Sequence, residues 1–155
     1  QLQQRYRMLR ARNLPEFKSA LGTLASPMFN TMYADIDGNI YYAYYGAVPK
    51  RDPSIDWTGL VNGNNPATDW HGYHPLEELP TLTNPASGYL QNCNATPFLA
   101  TGGDSNLNPD DYPAYMVSEA DNNRSRRSRI LLGHDAYLLR RVSAGRLRGG
   151  LLRSA

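Results

Sequence analysis

Apolar and polar positions alternate most clearly between residues 29 and 45. The segments 29–36 and Ile40 to Tyr45 are both rich in tyrosine and β-branched residues, and Asp37-Gly38-Asn39 lies between them. Because the tight turns that join antiparallel strands need positive φ, Asp-Gly between two such segments predicts a β-hairpin. Both strands are long enough to belong to a larger sheet.

Helical periodicity predicts two helices before the hairpin. In the first, Gln1 to Arg12, the residues Leu2, Tyr6 and Leu9 recur at helical spacing as a thin apolar stripe. The second helix should begin at Asn13, which is followed by a proline in the first turn and by a glutamate at the capping-box position. With the hairpin, these helices predict an α+β fold.

A third helix is predicted over Arg124 to Leu132, because Asp121 and Asn122 before it are capping residues. Its four arginines are expected to form mostly a solvated face. The residues after position 137 are rich in Arg, Gly, Leu and Ser. This composition predicts a domain over residues 1–137 and a basic, low-complexity tail over residues 138–155.

The segment from Gly46 to Leu82 is predicted to be a long ordered excursion, because its prolines and glycines prevent regular elements of any length. Trp57 and Trp70 are expected to hold it in place. His71 and His74 form a His-x-x-His pair, but no cysteine or acidic residue lies at a recognisable ligand spacing. Ordinary loop packing is therefore favoured over a metal site.

The segment from Asn84 to Phe98 carries the most informative polar residues. A short strand, Gly88 to Leu90, is expected to end in a polar cluster that contains Asn92 and Asn94. Asparagine is unfavourable in strands, so these amides either form a turn or direct an N–H donor into a cleft. The turn is favoured locally, whereas the second use is the one an oxyanion hole needs.

Charge and cysteine content narrow the function classes. Residues 124–155 hold nine arginines and one acid, whereas residues 19–123 hold two bases and twelve acids. One reading is a non-enzymatic binding module with a basic, Arg-rich tail, but the tail lacks interleaved aromatic residues, and no nucleic acid is expected. The single cysteine, Cys93, excludes an internal disulfide. A cysteine hydrolase would need His71, His74 or His134 as its base, and no spacing supports that pairing. No run of apolar residues predicts a membrane span.

Four segments resemble the penicillin acylase family, most closely its acyl-homoserine-lactone and aculeacin-type branch. The resemblance covers roughly residues 1–137, in the order of the family. The segments are residues 29–42, residues 46–53, residues 69–80 (Asp-Trp-His-Gly-Tyr-His-Pro-Leu-Glu-Glu-Leu-Pro) and residues 84–94 (Asn-Pro-Ala-Ser-Gly-Tyr-Leu-Gln-Asn-Cys-Asn).

The resemblance implies an N-terminal nucleophile hydrolase with an αββα sandwich, which cleaves the amide bond of N-acyl compounds. In such an enzyme the α-amine of an N-terminal serine activates its own hydroxyl group. The family motif implies that Asn94, the second asparagine of an Asn-x-Asn pair, stabilises the oxyanion. Arg124 best matches the arginine that supports the site. Trp57, Trp70 and Asn92 are candidates for substrate binding.

The resemblance also implies one structural calcium ion, for which the carbonyl of Pro53 would be one ligand, and no organic cofactor. The expected partners are the remaining acylase segments and a small acyl amide substrate, in the periplasm or outside a bacterial cell. No serine of this chain stands in the family's Ser-Asn-x-Trp context. The chain is therefore expected to supply the oxyanion hole without the nucleophile, to be inactive alone, and to leave apolar surface uncovered.

Overall fold

The computed structural model describes residues 1–134 and contains helices and one antiparallel sheet. The helices are α1 (Leu2–Arg10), α2 (Leu14–Leu21) and α3 (residues 123–134), and the strands are β1 (Phe29–Ala34), β2 (Ile40–Tyr45) and β3 (Thr81–Thr83). Short 3₁₀ turns lie at Pro66–Thr68, Leu76–Glu78, Pro97–Leu99, Gly103–Ser105 and Pro109–Asp111. The predicted tail, residues 138–155, lies outside the described residues.

The predicted hairpin is present. Strands β1 and β2 pair antiparallel, from Phe29 opposite Tyr45 to Ala34 opposite Ile40. The carboxylate of Asp35 accepts hydrogen bonds from the backbone N–H groups of Asp37 and Asn39, at 3.1 and 2.9 Å. Gly38 supplies the positive φ, at 83°. The side chain of Asp35 and the glycine together determine where the chain reverses.

Strand β2 lies at the centre of the sheet, because β3 pairs with it antiparallel on the other side. Its residues alternate between two clusters: Tyr41, Ala43 and Tyr45 pack in the larger one and Tyr42 and Tyr44 in the smaller one. The five residues are all at most 3% exposed. Both faces of this strand are therefore covered, and it forms the core of the fold.

Helix α2 covers one face of the sheet. The side chain of Asn13 accepts a hydrogen bond from the backbone N–H of Glu16 at 2.9 Å, as the predicted cap requires. Leu14, Phe17 and Leu21 are buried in the larger cluster, where the ring of Phe17 also contacts Tyr33. The apolar face of α2 is therefore the side that joins the helix to the sheet.

Helix α1 is oriented differently from the expectation raised by its apolar stripe. Leu2, Tyr6 and Leu9 are 86%, 58% and 85% exposed. The buried residue of α1 is Gln4, whose Nε2 donates to the carbonyl of Leu21 at 3.1 Å. The hydrogen bond to α2 therefore determines which side of α1 faces the protein, and the apolar stripe faces outward.

One end of the exposed stripe of α1 lies beside the edge strand β1, because Leu9 and Met32 line the same surface cavity. The guanidinium of Arg5 lies 6.0 Å from the centre of the Phe29 ring, which connects the two elements. We call Leu2, Tyr6, Leu9, Met28, Phe29 and Met32 the outer apolar surface. Within residues 1–134, no helix has the length and apolar character that crossing a membrane requires.

The excursion after β2 is closed by a short ladder of backbone hydrogen bonds. Lys50 donates to the carbonyl of Gly72 at 2.9 Å, His71 donates to the carbonyl of Lys50 at 3.0 Å, and His74 donates to that of Val48 at 2.9 Å. Its last residues form β3, which the sequence pattern does not predict. The excursion is thus a closed loop that returns to the sheet.

The strand predicted at Gly88 to Leu90 is absent. Gly88 has a φ of 80°, its N–H donates to the carbonyl of Pro85 at 2.9 Å, and residues 88–90 belong to no strand. Gln91 donates its N–H to the carbonyl of Ala100 at 2.7 Å, and the hydroxyl of Thr101 donates to the carbonyl of Tyr89 at 2.8 Å. The residues before the asparagine cluster therefore form an irregular loop.

Candidate active site

The residues Asn92 to Ala95 form a tight turn built by the side chain of Asn92. Its Oδ1 accepts the backbone N–H of Asn94 at 2.9 Å, and its Nδ2 donates to the carbonyl of Ala95 at 3.1 Å. Asn94 has a φ of 54°, in the left-handed region that asparagine tolerates better than most residues. Both ends of the Asn92 amide are occupied by the turn, and Asn94 is displayed at its exposed tip.

Asn122 joins this turn to the N-terminus of α3. Its Oδ1 accepts the backbone N–H of Ser125 at 3.0 Å, which makes it the N-cap of the helix. Its Nδ2 donates to the carbonyls of both Cys93 and Asn94, each at 3.1 Å. The predicted cap is therefore present at Asn122, and the same side chain fixes the turn relative to the helix.

Arg124, in the first turn of α3, contacts the predicted oxyanion residue directly. Its Nη2 donates to Oδ1 of Asn94 at 3.1 Å, across a sequence separation of 30 residues. Because the amide oxygen accepts from arginine, the amide nitrogen is the group of this side chain that remains to donate to a ligand. The guanidinium and the N-terminal end of α3 both favour negative charge nearby.

Buried polar groups support α3 from beneath. Ser125 is fully buried, and its hydroxyl accepts from Gln91 Nε2 at 3.0 Å and from Arg129 Nη1 at 2.6 Å. Arg129 and Arg126 both donate to the carboxylate of Asp121, at 3.0 and 2.9 Å. These hydrogen bonds, that from Arg129 most strongly, hold the pKa of Asp121 well below its ordinary value.

Sequence reasoning misses the roles of Gln91 and Ser125. In the sequence, Ser125 resembles any other polar residue of an Arg-rich helix, and Gln91 resembles a member of the asparagine cluster. Asp121 is a predicted cap of the helix, whereas its carboxylate pairs with two of the four arginines there. The spacings of five and eight positions lie outside the i,i+3 and i,i+4 rule for helical ion pairs, so no local signal in the sequence indicates this pairing.

The two tryptophans predicted to bind substrate lie together at a second location. The guanidinium carbon of Arg51 lies 5.1 Å from the ring centre of Trp57 and 5.8 Å from that of Trp70. Trp57 is half-buried and Trp70 is 59% exposed. Trp57 and Pro53 also line a cavity of about 370 Å³.

The described residues around Pro53 do not by themselves form a calcium site. The carboxylate of Asp52 accepts from Ser54 N and Oγ, and that of Asp56 accepts from Thr58 N and Oγ1. Residues 1–134 contain no group of three or more His, Cys, Asp or Glu side chains arranged to hold a metal ion. Calcium bound through the Pro53 carbonyl stays a prediction.

His74, the second histidine of the His-x-x-His pair, has a structural role in the folded chain. The ring of His74 is buried, with Nδ1 at 2.7 Å from Glu78 Oε2 and Nε2 at 3.0 Å from the hydroxyl of Tyr115. Both ring nitrogens are therefore occupied, so His74 serves neither as a metal ligand nor as a base for Cys93. His74 packs the excursion against the segment that contains Tyr115, as the structural reading of His-x-x-His expects.

Comparison with known proteins determines the family. The sequence profile of the penicillin amidase family matches residues 1–146. This chain belongs to that family. The predicted resemblance to the penicillin acylase family, whose members are amidohydrolases, is therefore confirmed. The resemblance to its acyl-homoserine-lactone and aculeacin-type branch stays a prediction.

Relatives in the penicillin amidase family are much longer than this chain. Penicillin G acylase of Escherichia coli is 37% identical over 89 residues, which are 57% of this chain and 10% of that protein. The thermostable penicillin G acylase from Alcaligenes faecalis, in its orthorhombic crystal form, matches the structure with a TM-score of 0.55 at 27% identity. That match covers 78% of this chain and 19% of the other. The α+β fold class predicted from the sequence is confirmed.

Proposed function

We propose that this member of the penicillin amidase family supplies the oxyanion-stabilising group of an enzyme that hydrolyses the amide bond of N-acyl compounds. The observation that carries the proposal is the hydrogen bond from Arg124 to the oxygen of the Asn94 amide. It leaves the amide nitrogen, a neutral donor, at the exposed tip of the turn. The substrate is a small acyl amide of the β-lactam, acyl-homoserine-lactone or lipopeptide type.

The chemistry assigned to Asn94 is transition-state stabilisation. When a nucleophile attacks the acyl carbon, negative charge develops on the carbonyl oxygen, and a donor already fixed at that position lowers the barrier. Asn94 Nδ2 donates to this oxygen. Arg124 holds the amide in the required orientation, and its charge, together with the helix N-terminus, favours the developing anion. Asn92 and Asn122 keep the turn in place without contacting substrate.

The nucleophile is proposed to come from another segment, as the N-terminal serine does in this class of hydrolase. The outer apolar surface supports this assignment, since exposed apolar patches commonly mark contacts with other protein segments. The remaining acylase segments are the proposed partners, in the periplasm or outside the cell. The 155-residue chain alone is expected to release no amine from penicillin G or from an N-acyl homoserine lactone.

The test is Asn94→Ala in the complete enzyme that contains this chain and its serine-bearing segment. Loss of one side-chain donor to the oxyanion typically lowers turnover by about 100- to 1000-fold. Asn64→Ala is the matched control, because Asn64 is exposed and far along the chain in the excursion. A decrease of less than about tenfold for Asn94→Ala, with the protein folded, would show that the oxyanion is stabilised elsewhere.

A further inference from the structure

Asn62 and Gly63 form the only asparagine–glycine pair of the chain, in the excursion that follows β2. Asparagine is a chemically labile residue, because the backbone nitrogen of the next residue can attack its side-chain amide carbon and close a five-membered ring. Glycine favours this attack, since it has no Cβ to shield the nitrogen or to restrict the backbone. Every other asparagine of the chain is followed by a residue that carries a Cβ. The sequence therefore singles out Asn62.

The backbone nitrogen of Gly63 is accessible in the folded chain. Residues 58–67 are all exposed, and no other group lies within 4 Å of the position that a Cβ of Gly63 would occupy. Within residues 1–134, the N–H of Gly63 donates to no acceptor. The Asp37-Gly38 pair of the hairpin differs, because the N–H of Gly38 donates to the carbonyl of Asp35 at 3.2 Å. The nitrogen that ring closure needs is thus free at Gly63 and occupied at Gly38.

The side chain of Asn62 is held in a turn with the residues that follow it. Its Oδ1 accepts the backbone N–H of Asn64 at 3.0 Å, an arrangement typical of asparagine in turns. When the amide carbon is attacked, negative charge develops on Oδ1, and a backbone N–H already bonded to that oxygen stabilises the charge. In the part of the chain that the structure describes, Nδ2 of Asn62 has no hydrogen-bond partner. No hydrogen bond therefore has to break when this nitrogen leaves.

We propose that Asn62 is a site of spontaneous modification, at which the chain deamidates to aspartate and isoaspartate. The Gly63 nitrogen loses its proton to a base in the solvent and forms a bond to Cγ of Asn62. The Cγ–Nδ2 bond breaks, and Nδ2 takes up a proton and leaves as ammonia. Water then opens the resulting succinimide ring at Cγ, which gives aspartate, or at the main-chain carbonyl carbon of residue 62, which gives isoaspartate. Water is the only other reactant, and the product carries one additional negative charge.

Formation of isoaspartate changes the path of the backbone in this loop. The chain then continues through the former side chain, so the hydrogen bond from Asn64 to Oδ1 is no longer that of an asparagine turn. The former main-chain carbonyl of Asn62, which lies 3.1 Å from the hydroxyl of Thr68, becomes a free carboxylate. The hydrogen bonds of the Asn94 turn involve none of these groups. The proposal therefore does not depend on the catalytic role of Asn94.

The test is incubation of the 155-residue chain in water labelled with heavy oxygen, at neutral and at mildly alkaline pH. Mass spectrometry of the peptide that contains residue 62, with separation of the two isomers, follows the reaction. We expect loss of ammonia and uptake of labelled oxygen at residue 62, faster at the higher pH because the attacking nitrogen must be deprotonated. Isoaspartate should form there and not at residue 37. The folded chain should react at least as fast as a synthetic peptide of residues 58–67, because the N–H of Asn64 is already in place.

Two glycine variants identify the attacking nitrogen. Gly63→Ala should slow the reaction at least about tenfold, because the added Cβ crowds the nitrogen and restricts the backbone. The surroundings of Gly63 have room for this methyl group, so the fold should be unchanged. Gly59→Ala is the matched control, since Gly59 is exposed in the same excursion with equally open surroundings and does not follow an asparagine. It should leave the rate at residue 62 unchanged.

Three outcomes would overturn the proposal. A reaction at residue 62 more than about tenfold slower in the chain than in the synthetic peptide would mean that the fold protects Asn62. Equal rates in the wild type and in Gly63→Ala, with near-native circular dichroism, would show that the Gly63 nitrogen is not the nucleophile. Isoaspartate forming at residue 37 as fast as at residue 62 would show that a free glycine N–H does not select the site. The hydrolysis measured for Asn94→Ala is independent of all these outcomes.

Discussion

Two exposed regions of this chain differ in whether contacts within the chain already fix their side chains. The turn around Asn94 is held by hydrogen bonds from Asn92, Asn122 and Arg124, all within the chain. The outer apolar surface, on α1 and β1, consists of carbon-rich side chains, of which Leu2 and Leu9 are more than four-fifths exposed. The first region has its geometry already, whereas the second is suited to contact with other protein.

The difference teaches that exposure alone does not identify a functional residue. Asn94 and Leu9 are both at the surface, but only the amide of Asn94 has an orientation fixed by a defined partner. Fixing a donor before substrate arrives is what makes it effective in catalysis, because no reorganisation remains for the reaction step. An exposed leucine stabilises an assembly only when another segment covers it, because its apolar surface is then removed from water.

The largest effect on stability is expected when the link between the turn and α3 is cut. Asn122→Ala removes a helix cap and the donor to two carbonyls, so the free energy of unfolding should fall by about 2 kcal/mol. Urea unfolding followed by circular dichroism measures it. The neighbouring Asn123→Ala, at an exposed position, should change stability by less than about 0.5 kcal/mol. Equal effects of the two variants would mean that the turn does not depend on Asn122.

A smaller effect on stability is expected when a polar residue of α1 is replaced by an apolar one, or an apolar residue by a polar one. Gln4→Leu removes the side-chain hydrogen bond to the carbonyl of Leu21, which then keeps only the N–H of Leu24, and should destabilise the chain by about 1 kcal/mol, although leucine is the more apolar residue. Leu9→Ser on the exposed stripe should cost less than about 0.5 kcal/mol. The same urea titration compares the two. If Leu9→Ser proved the more damaging change, the outward orientation of the stripe would be wrong.

The smallest effect on stability is expected from protonation of the Asp121 carboxylate at low pH. Its pKa is lowered in the folded chain, first by Arg129 and then by Arg126. A lowered carboxyl pKa contributes stability that is present above the unfolded value, near 4, and is lost as the pH falls through the folded value. The stability difference between wild type and Asp121→Asn should therefore shrink below about pH 4. Unfolding at several pH values measures it, and a constant difference down to pH 2 would contradict the pairing.

The elements that the sequence predicts correctly are those specified by residues close together in the chain. The β1–β2 hairpin follows from Asp35, Gly38 and the alternation on both sides, and the start of α2 follows from Asn13. Each of these elements is specified by residues within about five positions of one another. The structure therefore agrees with the pattern wherever the partners of a residue are its close neighbours in sequence.

Where the structure differs from the sequence-based prediction, the cause is a partner that is distant in the sequence. Strand β3 has three residues and exists because β2 pairs with it, so it has no pattern of its own. The segment Gly88 to Leu90 has the composition of a strand, but the carbonyl of Tyr89 accepts the side-chain hydroxyl of Thr101, and the N–H of the adjacent Gln91 donates to the carbonyl of Ala100. On α1, the partner of Gln4 is Leu21 in the next helix. In each case a contact outside the local segment overrides the local preference.

The candidate active site is also predictable only in part, because its residues are joined by contacts between distant parts of the chain. Asn94 and Arg124 are indicated through family resemblance, since no spacing rule joins residues 30 positions apart. Asn122 is visible in the sequence as a cap, but its two bonds to the turn are not. Of the three aromatic residues around Arg51, the sequence indicates Trp57 and Trp70, which share its loop. It does not indicate Tyr115, which comes from a segment more than 40 residues later.

The left-handed backbone at Asn94 restricts which sequences can evolve at this position. Glutamine also offers an amide, but it lacks the short side chain that makes left-handed φ tolerable, while glycine accepts the backbone and has no donor. Aspartate fits the turn but would carry the wrong charge beside the oxyanion proposed to bind there. For the role proposed for residue 94, asparagine combines tolerance of left-handed φ with a neutral amide donor, so few substitutions at this position would keep both properties.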